Sequence, residues 1–549
     1  MPRAAWLAVV VLLLLFVVQA WVAAVRDSVT IDEFGNLPVG LYAWYTGDFA
    51  MDPINPPHSR MIAALPLLFR PPAFSPPAGT GAWGLGYHLM ERNADIYQSV
   101  YLPARAMIIA LAVGLGALVV VWARRLYGWR AAVAAAFVYS FSPTMLTHGH
   151  LVTLDLSGAL GFTATAFTVW RMLERPTRNA ALIVGVTLGI ASLLKLSGFV
   201  LVAVVVIVVA VRALTERDVP LAAWVKLVCI AVGVSVVVIN AGYLFRGTFA
   251  SLDQADFAPN GALARLRAAA PWVRLPLPLA FVNGLDMAMN VGKEQEPSYF
   301  LAGRLSSDGW WYYHLAAFAL KTSLPVLLLT VGSFVQWIFR RGMRKREYAL
   351  WLPVLLLFAS NTLFNSLQIG VRHVVAVYPL LFVLISGRVA AMVGRQWSAT
   401  RERLLAGTAA VLLAWHMIGT IAVAPRYLQF FNEIAGGPSG GHRWLIDSNI
   451  DWGQDLIRLR DYMQREKIDT INLAYFGRVN PLVYGIHFRP LEQGYSHGIT
   501  AVSATFLMGR PYFWYLGGRM RWVHANTYSW LQSREPIARV GAMFIYNLE

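Results

Sequence analysis

Long apolar runs recur along this chain as far as position 424, and nothing else in the sequence constrains its fold so tightly. They lie at about 4–25, 104–122, 131–146, 154–172, 180–196, 198–212, 222–245, 315–339, 348–366, 373–391 and 403–424. Most are long enough, at about 1.5 Å per helical residue, to cross a hydrocarbon layer of roughly 30 Å. Lipid offers no partner to backbone N–H and C=O groups, so runs of this kind must be helices. The expected fold is therefore a polytopic α-helical membrane protein with about 11 transmembrane helices. Composition agrees, since 57% of the 549 residues are hydrophobic and only 14% are charged. The first run exceeds the roughly 7–15 apolar residues of a signal peptide core and reads as a retained helix.

The formal net charge of +17 would suit a nucleic-acid partner if it formed one patch. Instead, basic clusters at 124–130, 171–178, 212–217, 340–346 and 388–403 fall in alternate loops. The positive-inside rule explains them without nucleic acid and makes those loops, with the N-terminus, cytoplasmic. The opposite set then faces outward from the inner (plasma) membrane: 26–103, the turn THGHLVTLD, 246–312, the short loop NSLQIGVRH, and the tail. The single cysteine, Cys229, lies in an apolar run, so no intramolecular disulfide is expected.

The tail differs in kind. HRWLIDSN reads as a strand, DWGQDLIRLRDYMQREK as an amphipathic helix and TINLAYFG as a second strand, with further β-like runs at ITAVSATFL and AMFIYNL,. The expected division is a transmembrane domain over 1–424 and a soluble, outward α/β domain of roughly 120 residues over 425–549. The chain has no internal repeat of the sort many transporters carry.

Carboxylates beside membrane spans are costly to keep and are candidate functional groups by default. Asp32 and Glu33, in TIDEFGN, open the first outward loop, and Asp155 closes the second, just after His148 and His150. Helix capping is the competing explanation for these acids. In NPPHSR the paired prolines present His58 and Arg60 rigidly,. A neutral His58 near carboxylates suits a divalent cation, and Arg60 suits a lipid phosphate. The alternative is an ordinary surface turn with a snorkelling arginine. Lys195, Lys321, Arg372 and His373 lie near outward helix ends, where cations run against the charge rule and call for a negative partner such as a lipid-linked phosphate. No phosphate-binding GxxxxGK[ST] loop, GxSxG elbow, HExxH pair or CxxC pair occurs,.

TIDEFGN, NPPHSRMIAALP, THGHLVTLD, LLKLSG and GVRHVVAVYPLL, in this order and topology, resemble the protein O-mannosyltransferase type of membrane glycosyltransferase, glycosyltransferase family 39, with the GT-C fold. The segments GGHRWLIDSNIDWGQDL and LAYFG look like a bacterial subgroup. The resemblance implies a polyprenyl-phosphate sugar donor, with Asp32 as the catalytic carboxylate and Asp155 as the second acid. It puts His58 at a position that varies between metal ligation and phosphate contact, so a divalent metal ion stays open as a cofactor. The acceptor is a protein, a lipid or a glycan.

Elementary mechanism agrees with that reading. Inverting displacement of a polyprenyl phosphate by a hydroxyl needs one carboxylate to take the proton and cations to stabilise the departing phosphate. The expected roles are Asp32 as base, Asp155 as the orienter of Asp32 or of the acceptor, and Lys195, Arg372 and His58 at the phosphate. Glu33 is expected to steady an oxocarbenium-like transition state. A transporter or flippase for a lipid-linked sugar is the competing class.

Overall fold

The computed structural model describes residues 2–216, 218–259, 261–290, 298–364, 367–393, 399–491, 497–516 and 519–548. Arg217 and Arg395 of the basic clusters, and Asn365 and Ser366 of the NSLQIGVRH loop, lie outside the described residues. Helix α1 (Arg3–Arg26) leads into an outward loop that carries its own helices, α2 (Ile31–Thr46), α3 (Pro57–Ala64) and α4 (Ala82–Arg92). Then come α5 (Tyr97–Tyr127), α6 (Trp129–Ser140), α7 (Pro143–His148), α8 (Asp155–Glu174), α9 (Arg178–Leu194), α10 (Val200–Thr215) and α11 (Leu221–Gly242). The long loop after α11 holds α12 (Ala262–Ala269), α13 (Leu279–Asn290) and a small hairpin of β1 (Tyr299–Leu301) and β2 (Arg304–Ser306). The bundle ends with α14 (Tyr313–Lys321), α15 (Leu324–Phe339), α16 (Arg341–Phe364), α17 (Val377–Met392) and α18 (Ala399–Val423).

Every expected run is helical. Among the described residues, five helices are long and apolar enough to cross a membrane, and four shorter apolar helices accompany them. Two of the expected spans show why hydropathy overcounts continuity. The run at 131–146 breaks where Ser142 caps α7 and Pro143 takes its first turn, as proline at that position favours. The run at 315–339 breaks at Thr322–Ser323, ahead of Pro325.

Helix α17 is the centre of the bundle. Every residue from Val377 to Val389 is buried, which is what a helix apolar on all sides requires. Helices α9 and α11 approach closely because Gly185 and Gly189 leave room for Val234 and Val238, the small-residue spacing that helices in lipid use.

The tail forms a five-stranded sheet ordered β4-β3-β5-β9-β8, from β3 (Ile471–Ala474), β4 (Phe488–Pro490), β5 (Gly498–Ser503), β8 (Ala538–Val540) and β9 (Met543–Leu548). A hairpin of β6 (Tyr512–Leu516) and β7 (Arg519–Val523) lies apart from it. The α/β character and the amphipathic helix, at Leu456–Arg465, are as expected. HRWLIDSN is not a strand, however. It runs through short turns at Gly441–Arg443 and Asp447–Asn449, because Asp447 takes a positive φ of 57° and the buried polar groups of Ser448 and Asn449 bond to the bundle. The tail is also less separate than a boundary at 425 implies. Ser28 N–H donates to the Gln454 carbonyl at 2.9 Å, and Ile31 N–H to that of Trp452 at 3.0 Å.

Candidate active site

The stretch TIDEFGN builds a helix start whose two acids serve different ends. Thr30 is the N-cap of α2 and forms a capping box with Glu33, satisfying two otherwise orphaned backbone donors. Glu33 also takes Arg105 Nε at 2.7 Å and Nη2 at 2.6 Å, and the Val152 N–H at 3.0 Å. Burial pushes its carboxyl up, but Arg105 and these hydrogen bonds outweigh that and hold it below the usual range. Expected beside the reacting centre, Glu33 is instead fully enclosed and has no surface to offer a substrate.

One residue earlier, about 100° around the helix, Asp32 points elsewhere. Its Oδ2 accepts from Arg372 Nη2 at 2.6 Å. The same guanidinium reaches Asp155 Oδ2 through Nε at 3.0 Å, and Lys195 Nζ donates to Asp155 Oδ1 at 2.6 Å. Asp155 stands at the first position of α8, where the helix dipole favours an anion, and Lys195 at the end of α9, where it favours a cation,. The Asp32 side chain is 24% exposed and that of Asp155 0%. Burial works against the Arg372 charge, but Asp155 and Asp32 more than restore it. His148 Nδ1 lies 3.7 Å from Asp155 Oδ2. Burial pushes this imidazole down to about 3, so it is neutral and the approach is no ion pair.

The other expected residues separate from this cluster to different degrees. Arg60 Nη1 binds Asp52 at 2.8 Å, and its Nη2 binds the Asn55 carbonyl. It pins its own loop and is 2% exposed. His58 Nε2 bonds to the Gly242 carbonyl at 2.9 Å, with its ring against Tyr243 and Phe49. This hydrogen bond occupies Nε2 and not Nδ1. Among the described residues no group of three or more His, Cys, Asp or Glu side chains could hold a metal ion. Lys321 Nζ donates to the carbonyls of Leu428 at 2.7 Å and Asn449 at 2.6 Å. It anchors the tail rather than joining Asp155. His373 packs beside His314, ring centroids 5.6 Å apart. Both nitrogens of His314 and the Nε2 of His373 are buried and lack a hydrogen-bond partner among the described residues.

Sequence reasoning missed three participants. Arg105 neutralises Glu33 from within α5. Trp452, in the tail, lies under Arg372, with the guanidinium carbon 4.5 Å from the ring centroid. Asp27 takes His150 Nε2 at 2.9 Å and Arg458 Nη2 at 2.6 Å, and so ties the end of α1 to the tail. The one signal for Arg105 was its cost, an arginine inside an apolar helix.

The architecture is the GT-C fold of polytopic membrane glycosyltransferases, and the chain is a multi-pass membrane protein. Residues 86–241 match the family model of dolichyl-phosphate-mannose-protein mannosyltransferases. The fold resembles that of ArnT from Cupriavidus metallidurans bound to undecaprenyl phosphate, with TM-score 0.50 and 14% identity over 99% of this chain and 98% of that one. It also resembles the S. cerevisiae protein O-mannosyltransferase complex bound to the sugar donor, with TM-score 0.51 and 12% identity over 77% of this chain and 90% of that one. A third likeness is to the oligosaccharyltransferase AglB from Archaeoglobus fulgidus in complex with an inhibitory peptide and a dolichol-phosphate, with TM-score 0.51 and 10% identity over 95% and 74% of the two chains. A sequence comparison with curated proteins gives no match.

Proposed function

We propose that this protein is a glycosyltransferase that moves a sugar from a polyprenyl-phosphate donor to an acceptor hydroxyl at the outward face of the inner membrane, with inversion and with Asp32 as general base. The observation that carries the reading is an asymmetry. One guanidinium grips two carboxylates, and only that of Asp32 is open to a substrate. The family match over 86–241 and the polyprenyl-type ligands named for ArnT and AglB support the donor class.

Arg372 holds Asp32 Oδ2, which leaves Oδ1 to accept the proton of the acceptor hydroxyl. The acceptor oxygen bonds to the anomeric carbon as the bond to the phosphate oxygen breaks. The electron pair leaves with the polyprenyl phosphate, and the proton passes from Asp32 to water. Asp155 touches no reactant in this scheme. It fixes Arg372 and Lys195, whose remaining N–H groups face the departing phosphate and stabilise its growing charge. His148, His373 and Lys321 take no part in this scheme.

The helix ends support the outward placing. Helix α5 runs from Arg105 beside Glu33 to Tyr127, and α17 from the Arg372 turn to Arg388. At that far end Tyr127 Oη donates to Glu347 Oε1 at 2.7 Å and Arg388 Nη2 binds Glu347 Oε2 at 2.5 Å. Arg124 and Arg125 in the last turn of α5, and Arg388 on α17, therefore lie at the end opposite the site, as the charge rule requires if the site faces out.

The test is transfer of labelled sugar from polyprenyl phosphate by purified protein in detergent, with protein, lipid and glycan acceptors offered in turn. Loss of transfer in Asp32→Asn is expected. Passage of the labelled lipid across proteoliposomes with no covalent product would replace this reading with a transporter.

A further inference from the structure

We propose that Trp452 is a positioning residue of the Asp32 site, so that the C-terminal domain is a structural part of the catalytic centre. This rests on the transfer reading above. Trp452 is 2% exposed and joins both halves of the site. Its carbonyl accepts from the N–H of Ile31 at 3.0 Å, the residue immediately before Asp32. Its ring lies beneath Arg372 at 4.5 Å, where the attraction of a cation for a ring face also limits the tilt of the guanidinium plane.

The neighbours of Trp452 grip the same two elements. Asn449 Oδ1 accepts from Val371 N–H at 3.0 Å, and Ser448 Oγ donates to the Ile369 carbonyl at 2.5 Å. Gln454 Oε1 accepts from the Trp452 N–H at 2.7 Å, and the Gln454 carbonyl accepts from Ser28 N–H at 2.9 Å. The segment 448–454 is thus bonded to the residues just ahead of Asp32 and just ahead of Arg372. Arg372 must keep Nε 3.0 Å from Asp155 Oδ2 while Nη2 donates to Asp32. Two acids constrain its edge, and the indole constrains its face. Without the ring the guanidinium can tilt, and the Asp32 carboxylate loses the alignment that proton transfer needs.

The experiment measures kcat and donor KM for Trp452→Leu, Trp452→Phe, Arg372→Lys and the double variant Trp452→Leu/Arg372→Lys, beside Asp32→Asn. Trp452→Leu is expected to lower kcat by about 10- to 100-fold with donor KM within about threefold, because alignment and not ground-state binding is lost. Trp452→Phe, which keeps a ring face, should recover most of it. Lysine has no planar guanidinium for the indole to hold, so in the Arg372→Lys background the leucine substitution should change kcat less than about twofold. Full kcat in Trp452→Leu, or a multiplicative loss in the double variant, would overturn the inference while Asp32→Asn still reports on the site itself. If Trp452→Leu does not fold, Trp452→Met, alone and in the Arg372→Lys background, decides by the same comparison, since methionine fills volume without a ring face. Retained transfer in Asp32→Asn would overturn the site reading instead.

Discussion

Asp32 and Asp155 are held by one guanidinium, with Arg372 Nη2 at 2.6 Å from the first and Nε at 3.0 Å from the second. The two acids begin different helices, and neither could fix Arg372 in its plane alone. The pair divides its work by exposure. One carboxylate is reachable and can exchange a proton, while the other is enclosed and keeps the cations in place.

That division separates two substitutions of the same kind. Asp32→Asn should lower transfer by about 10²- to 10⁴-fold, the usual weight of a general base, with little change in Tm because its side chain is partly solvated. Asp155→Asn leaves Lys195 and Arg372 without their shared anion. We expect it to cost about 3 to 5 kcal/mol at most, less to the extent that water reaches Lys195. Thermal unfolding in detergent beside the transfer assay checks both. Equal stability losses would contradict the division.

The contact between Glu33 and Arg105 gives stability a pH dependence of known sign. The folded Glu33 carboxyl is held below its usual value by Arg105 against the opposing effect of burial. Its contribution is therefore fully present above the unfolded glutamate value of about 4.3 and is lost as pH falls through the lower folded value. Glu33→Gln should lower Tm at pH 7 and narrow its gap from the parent as pH falls below about 4. A gap that stays constant across that window would show that the charge of Glu33 is not what holds Arg105.

How far the site was legible before the structure follows from the cost of charge. Asp32, Asp155, Lys195 and Arg372 could each be picked out because a charge near lipid needs a reason, and the four do meet. Glu33 passed the same filter for a different reason, as the partner of Arg105. Charge cost finds ion pairs without saying which of them face a substrate. Trp452 gave no such signal, since a tryptophan beside an aspartate in an amphipathic stretch reads as ordinary core. The helical runs were legible from hydropathy. The breaks at Pro143 and Thr322 carry local signals, a serine followed within two residues by a proline in the first turn of the next helix, whereas the turns of HRWLIDSN depended on partners far along the chain, which no local pattern carries.

His314 and His373 make a second test of function against stability. Three of their ring nitrogens are buried without partners among the described residues, and each such atom costs about 1 to 3 kcal/mol. Replacing His314 by Leu removes two of them at similar volume. Tm should hold or rise by a few degrees. Loss of Tm would mean that the imidazole has a partner in the folded protein, and a binding assay with polyprenyl phosphate would then decide whether the lipid is that partner.

The buried acid beside the positioning tryptophan has the opposite pH sign to Glu33. Asp451 is 2% exposed. Burial pushes its carboxyl up to about 7, against the hydrogen bond from the Thr505 N–H at 3.1 Å. Because the folded value is raised above the unfolded one near 3.9, the folded state is penalised as pH climbs from about 4, and the penalty levels off above about 7. At about 1.4 kcal/mol per unit the ceiling is roughly 4 kcal/mol. Asp451→Asn keeps an oxygen for Thr505 and has no charge to bury. Its Tm should match the parent near pH 4 and exceed it at pH 8. Because the backbone of Asp451 leads directly into Trp452, the parent should also lose kcat above pH 7 more steeply than the asparagine variant. Parallel Tm curves for the two proteins between pH 4 and 8 would show that Asp451 is ionised at a value close to that of the unfolded chain.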